Sequence, residues 1–253
     1  MQSTPVFYQE IVPLDRRQHG ALFFAPGVDY RYAMGSNAIF LATVEFGRTC
    51  HEYPIVFGDD GQTAFPLVVL GLRDGENLFV TAEGKWNASY IPAYVRRYPF
   101  ILSTQPDSDV LTVCIDQSSP NFNSEQRGMA LFEGGMESDF LRKTLDFLKD
   151  FQAQYVLSIR FAARLKALGI LEPMQANVEI NTGARLRMGG FFAVNRQRLA
   201  DLPAEQLAEL VRDGGVELIY LHLNSLDNFS HLMGRLPVSQ AESLAATPTV
   251  GSA

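Results

Sequence analysis

Apolar positions follow two periods along the chain, and the change between them divides it. Between residues 38 and 116, short aliphatic, β-branched and aromatic runs alternate with turn residues. The runs are AIFLATVEF (38–46), EYPIVF (52–57), TAFPLVVLGL (63–72), LFVTAE (78–83), FILST (100–104) and VLTVCID (110–116). Runs of this length, bounded by Gly, Pro, Asn and Asp, predict strands. GDDG (58–61), RDGEN (73–77) and QPDSD (105–109) predict turns between them, because Asp side chains hydrogen-bond nearby amides and Gly accepts positive φ. Strand–turn–strand succession predicts an antiparallel β-meander. Pro54 and Pro66 have no amide proton to give a ladder, so they are expected at strand starts or edges. QSSPNFNSEQRG (117–128) has the composition of a loop.

From residue 138 the period becomes three and four. Leu141, Leu145, Leu148, Phe151, Tyr155, Ile159 and Ala162 share one helical face. Ser138 is placed to cap that helix and Gly169 to stop it, with a break allowed around Gln152–Gln154. ANVEIN (176–181) and MGGFFAV (188–194) predict short strands with Gly183 in the turn between them. PAEQLAELVRDG (203–214) and SLDNFSHLMGRL (225–236) predict short helices, while VELIYLHL (216–223) fits a strand or a helix start. The expected fold class is α+β: an antiparallel β-meander N-terminal half, then a long helix with short strands and two shorter helices. Residues 1–236 are expected to form one interlocked domain, with 117–128 as the place for any sub-boundary. The small, polar stretch 237–253 is expected to be a flexible tail.

Composition narrows the classes. The 253 residues carry a formal net charge of -7 and a sequence pI near 5.1, with no basic run. Nucleic acid and anionic membrane surfaces both require concentrated Lys and Arg, so neither is an expected partner. No apolar run reaches the roughly 18 residues of a membrane span, and the N-terminus lacks the pattern of a signal peptide. Two distant cysteines, Cys50 and Cys114, fit a reducing, cytoplasmic location and no structural zinc.

Chemistry-bearing motifs are sparse. There is no GxxxxGK[ST], GxSxG or HExxH, and the four histidines lack ligand spacing, so no cofactor or metal is expected. EGGMESDF (133–140) reads as a glycine turn feeding a helix rather than an anion site. Cys50 beside His51 is not expected to form a reactive pair, since neighbours on a strand face opposite ways. The richest stretch is GKWNASYIPAYVRRYPFIL (84–102), which holds the only tryptophan. Trp86, Tyr90, Tyr94, Arg96, Arg97 and Tyr98 combine rings and guanidinium groups, a combination that recognises carboxylates or aromatic ligands. The competing reading is an aromatic corner packing the strands on the long helix. His222 and Ser225 complete the candidate binding set. With Arg96, Arg97 and Asp116 they also define an enzyme alternative, acting on a peptide or amino-acid derivative, if they converge on one pocket.

EYPIVF (52–57), LGLRDGENLFV (70–80), GKWNASYIPAYVRRYPF (84–100), CIDQSS (114–119) and LHLNSLDNFSHL (221–232) together resemble the SapC family of bacterial proteins, over about residues 6–236. The family takes its name from a gene associated with a surface-layer locus, and is distinct from a peptide-transport permease of the same name. The resemblance implies no reaction and carries over no catalytic residue. The absence of every catalytic motif above, together with the aromatic–arginine cluster, leads to the expectation of a non-catalytic binding or accessory protein, and the resemblance implies a nutrient-uptake or surface-layer-related locus for it. A protein partner or small-molecule ligand from that locus is expected, with a homo-oligomer as a further option.

Overall fold

The computed structural model describes residues 5–27, 29–104, 111–179 and 185–236. The turns placed at QPDSD and Gly183, and the tail 237–253, lie outside the described residues. The first part holds β1 (Ile11–Pro13), α1 (Arg16–His19), β2 (Phe23–Phe24), β3 (Ala38–Phe40), α2 (Phe46–Thr49), β4 (Ile55–Asp59) and β5 (Ala64–Val69). Then come α3 (Ala93–Arg96), β6 (Phe100–Thr104), β7 (Leu111–Asp116), β8 (Phe122–Asn123), β9 (Met129–Ala130), β10 (Phe132–Glu133) and β11 (Met136–Glu137). The last part holds α4 (Asp139–Ala167), β12 (Leu171–Glu179), β13 (Arg185–Val194), α5 (Arg196–Ala200), α6 (Ala204–Arg212), α7 (Gly215–Ser225) and α8 (Asn228–Met233).

The fold is α+β, with a strand-rich first half and a long helix after it. A five-stranded sheet runs in the order β12-β13-β4-β5-β3, and a second sheet in the order β1-β7-β6. All pairings are antiparallel. The β4–β5 turn is the expected GDDG: the Asp59 carboxylate accepts from Gly61 N (2.8 Å), Asp60 accepts from Gln62 N and Thr63 N, and Gly61 takes φ +92°. Strand order adds a feature the linear pattern hides: β3 pairs with β5 rather than with β4, because a helical turn and α2 intervene.

Pro66 therefore lies on a strand with neighbours on both sides. Its missing amide faces the side where β3 has already ended, and there its carbonyl accepts from Leu41 N (3.1 Å). The strand expected at LFVTAE is not formed; only an isolated bridge joins Val80 to Trp86. Asn77 takes over the backbone there, donating to Ala33 O (3.0 Å) and accepting from Phe79 N (2.9 Å). The third part holds four short helices where the apolar pattern suggested two, and 216–223 falls inside α7.

Helix α4 runs unbroken through Gln152–Gln154. Ser138 caps it, accepting from Leu141 N (3.1 Å), and Gly169 follows it at φ +69°. Its inner face, including Leu141, Leu148, Phe151, Ala162 and Leu165, closes the core against β5 and β6. One polar residue on that face, Ser158, accepts from Thr43 N (2.8 Å) and ties α4 to the turn after β3. EGGMESDF is a glycine turn, as expected: Gly134 and Gly135, both at positive φ, join β10 to β11.

Candidate aromatic–arginine site

Only one helical turn forms in the 84–102 stretch. Pro92 opens α3 with φ -55°, and the helix covers Ala93–Arg96. Tyr90 and Tyr98 fall outside it, so the three tyrosines do not make a helical stripe; each goes to a different task. The Tyr90 hydroxyl donates to Glu45 Oε1 (2.8 Å). Tyr94 is buried edge-on against Phe7 and Phe151. Tyr98 stacks on Tyr32 at 4.1 Å and its hydroxyl donates to Asp116 Oδ2 (3.3 Å).

Trp86 serves the fold. Its Nε1 donates to the Tyr53 hydroxyl (2.8 Å), and its ring stacks on the buried Phe79 and meets Tyr30 edge-on. The Tyr53 hydroxyl in turn donates to Tyr90 O. Trp86→Phe removes the N–H donor and part of the stacked area. It is expected to cost about 1–2 kcal/mol, read as a fall of roughly 2–8 °C in melting temperature.

A carboxylate the sequence did not single out organises the start of α3. Glu45 is 4% exposed, and accepts from Ala93 N (2.7 Å), the Tyr90 hydroxyl and Ala42 N (3.2 Å). Burial pushes its pKa up against the pull of those hydrogen bonds. Glu45 is the last residue but one of the apolar run AIFLATVEF, where no motif marks it.

The two arginines behave differently from the rings. The Arg97 guanidinium carbon lies 4.0 Å from the Tyr94 ring centroid, 4.9 Å from Phe151 and 5.8 Å from Tyr8. Its Nε is buried without a hydrogen-bond partner, and it makes no ion pair among the described residues. Arg96 is exposed, donates Nε to Ile91 O (3.0 Å), and lies 5.3 Å over the Phe147 ring. Both line a groove of about 270 Å³ whose apolar walls are Phe24, Phe100, Phe140 and Phe147. Tyr98, Thr144 and Lys143 complete it, and among the described residues no Asp or Glu lines it. Arg97 also contributes to a second depression of about 540 Å³, between Pro5, Tyr94, Tyr155 and Ile159.

His222 and Ser225 lie elsewhere and are both fully buried. Val194 N donates to His222 Nε2 (3.1 Å), and Nδ1 lies 2.7 Å from Ile55 O, which fixes the neutral ring with its proton on Nδ1. Burial lowers the pKa of His222 to about 4, outweighing the Ile55 hydrogen bond. Ser225 accepts from Ile55 N (2.9 Å) and donates to His222 O (2.6 Å). The pair staples α7 to β4. Asp116, also fully buried, is surrounded by donors from Gln9, Glu10, Ser118 and Tyr98. None of these three lines the groove with Arg96 and Arg97.

The remaining candidates give no reactive group. Cys50 follows α2 rather than sitting on a strand, and Cys114 lies on β7; burial pushes both thiols up. His51 and His231 share the wall of a polar depression with Arg235, while His19 is buried and accepts from Asp15 N (2.9 Å). No helix among the described residues is long and apolar enough to cross a membrane.

No curated protein and no solved structure matches the chain. A SapC family model matches residues 14–232, well over half of its length. That span includes the Arg96–Arg97 groove, Asp116 and the His222–Ser225 staple, and the chain belongs to the SapC family.

Proposed function

We propose that the chain is a non-catalytic binding or accessory protein, and that the groove beside Arg96 and Arg97 is where it recognises a ligand or partner. The observation that carries this reading is the lining of the groove: Arg96, Arg97 and Lys143 stand beside four phenylalanines, with no Asp or Glu among the described residues. Cationic side chains at the edge of an apolar groove attract an anion whose body is apolar.

The enzyme alternative draws no support from His222, Ser225 or Asp116, whose hydrogen-bonding groups are engaged in holding backbone. The locus expected from the family resemblance supplies the context for a partner, and a cytoplasmic setting is part of the same proposal.

Melting of the protein against small organic acids, amines and amides tests the reading. A ligand present at one hundred times its Kd stabilises by about 2.7 kcal/mol, a rise of roughly 5–10 °C. Acids are expected to raise the melting temperature of the wild type and to lose that effect with Lys143→Glu. Stabilisation by amines, or an undiminished effect of acids on the variant, would count against it.

A further inference from the structure

We propose that the depression between β3, β5 and α4 is a second binding site, and that its ligand is a slender apolar chain ending in a single carboxylate. The site is separate from the groove beside Lys143, and the proposal does not rest on that groove. The fold makes the space by ending a strand early. β3 is the edge strand of the five-stranded sheet and stops at Phe40, opposite Leu67 of β5. Phe65, further back on β5, therefore has no neighbour from β3. Helix α4 stands beside the gap with Gln152, Tyr155 and Ile159 on one stripe. At roughly 1.5 Å per residue those three span about 10 Å, so the depression is long and follows the helix. Its volume of about 540 Å³ lies within the range of small-molecule sites. Ile39, Phe40, Leu67, Ile101, Tyr155 and Ile159 make the walls apolar and largely aliphatic, which suits a narrow chain buried along its length.

Charge sets the two ends. Among the described residues only Arg97 and Asp60 bring charge to the lining. The Arg97 guanidinium belongs to this side of α3. Its carbon lies 4.0 Å from the ring of Tyr94, which lines the depression, and 4.9 Å from the ring of Phe151, next to Gln152. Its Nε is buried and out of a ligand's reach. Its two terminal nitrogens have no hydrogen-bond or ion-pair partner among the described residues, yet they are not buried. They offer the paired donors that a planar carboxylate accepts. Asp60 stands at the opposite end, in the β4–β5 turn, whose Asp59 pairs with Lys166 (2.8 Å) about two turns beyond Ile159. The Thr63 and Gln62 amides hold the Asp60 carboxyl below its ordinary range, so it stays ionised. An anion is thus attracted at one end and repelled at the other. One negative charge fits, at the Gln152 end; a second at the far tip of the chain does not.

The probes are octanoate, its neutral isostere octanamide, the diacid suberate and octyl phosphate, titrated calorimetrically into the whole chain. Octanoate is expected to bind at least tenfold more tightly than octanamide or suberate, and more tightly than octyl phosphate. Gln152→Glu, which brings a carboxylate to the Arg97 end without changing the shape of the side chain, is expected to weaken octanoate at least fivefold and to leave octanamide within twofold. Arg97→Gln is expected to erase the preference for the acid. Melting curves of both variants show that folded states are compared, and Gln152→Glu carries the test where Arg97→Gln does not fold. Asp60→Asn, which keeps an acceptor for the turn, is expected to bring suberate within threefold of octanoate. Equal binding of octanoate and octanamide overturns the charge assignment. Tighter binding of octyl phosphate overturns the carboxylate head, and equal binding of suberate to the wild type overturns the role of Asp60. Octanoate binding that Lys143→Glu abolishes and Gln152→Glu leaves unchanged belongs to the other groove and overturns this site. No binding of any probe overturns the proposal and leaves the reading of the groove beside Lys143 untouched.

Discussion

Asp116→Ala is expected to lower stability by about 3–5 kcal/mol, the largest effect foreseen for a single side chain, and melting temperature by roughly 6–20 °C. Asp116 ends β7 with no exposed surface. Its Oδ2 accepts from Gln9 N (2.9 Å) and the Tyr98 hydroxyl, and its Oδ1 accepts from Glu10 N (3.1 Å), Ser118 N (3.1 Å) and Ser118 Oγ (2.6 Å). One carboxylate thus fixes the segment entering β1, the corner after α3 and the turn after β7. Alanine leaves the amides of Gln9, Glu10 and Ser118, whose bonds to the carboxylate are partly buried, without that acceptor. Burial works to raise the pKa of Asp116, but the Ser118, Gln9 and Glu10 hydrogen bonds outweigh it and hold the carboxyl below its ordinary value. With the folded pKa below the unfolded one, this stabilisation is present above about pH 4 and is lost as pH falls below it. Chemical denaturation of wild type and variant at pH 7 checks the magnitude. A loss under 1 kcal/mol would mean that those amides find water.

Between pH 6.5 and 4 a different group sets the slope. His222 is neutral in the fold, with a pKa of about 4, and ordinarily titrates near 6.5. Its folded pKa is the lower one, so its contribution is fully present above 6.5 and is lost as pH falls towards 4. The loss amounts to about 3 kcal/mol. The structural cause is double: the ring is buried, and Nε2 must accept from Val194 N, which a protonated ring cannot do. Glu45 acts in the opposite direction, because its raised pKa favours the fold as pH falls. Wild type and His222→Gln share that term, so the difference between their stability–pH profiles isolates His222. The variant is expected to start lower at pH 7 and to fall less between 6.5 and 4. Parallel profiles would show that His222 titrates normally.

Much of the architecture was legible because local rules and tertiary packing agreed. Ser138 and Gly169 mark the two ends of α4, GDDG builds the β4–β5 turn, and Pro92 opens α3. Failures came where a contact between residues distant in sequence decided the outcome. LFVTAE has strand composition, but Asn77 satisfies the backbone at Ala33 and Phe79 instead. Tyr90, Tyr94 and Tyr98 are spaced for a helix that lasts one turn, since Glu45 draws Tyr90 away from it.

The site was legible in the same partial way. Residue type alone drew attention to Arg96 and Arg97, which do line one groove. It could not separate them from Trp86, which is tied to Tyr53, or from His222 and Ser225, which are tied to β4. Phe24, Phe140, Lys143 and Phe147 escaped notice because they come from two distant segments, and only packing of α4 beside α3 and β6 brings them together.

The most direct measurement is the nitrogen-15 spectrum of the protein, followed during titration with a small organic acid that raises the melting temperature. The central claim is that the groove beside Arg96, Arg97 and Lys143 receives the ligand. Saturable shifts at residues 96–98 and 140–147, with His222 unmoved, are the predicted result. Unchanged resonances there at saturating ligand, with shifts at His222 and Ser225 instead, would contradict the central claim.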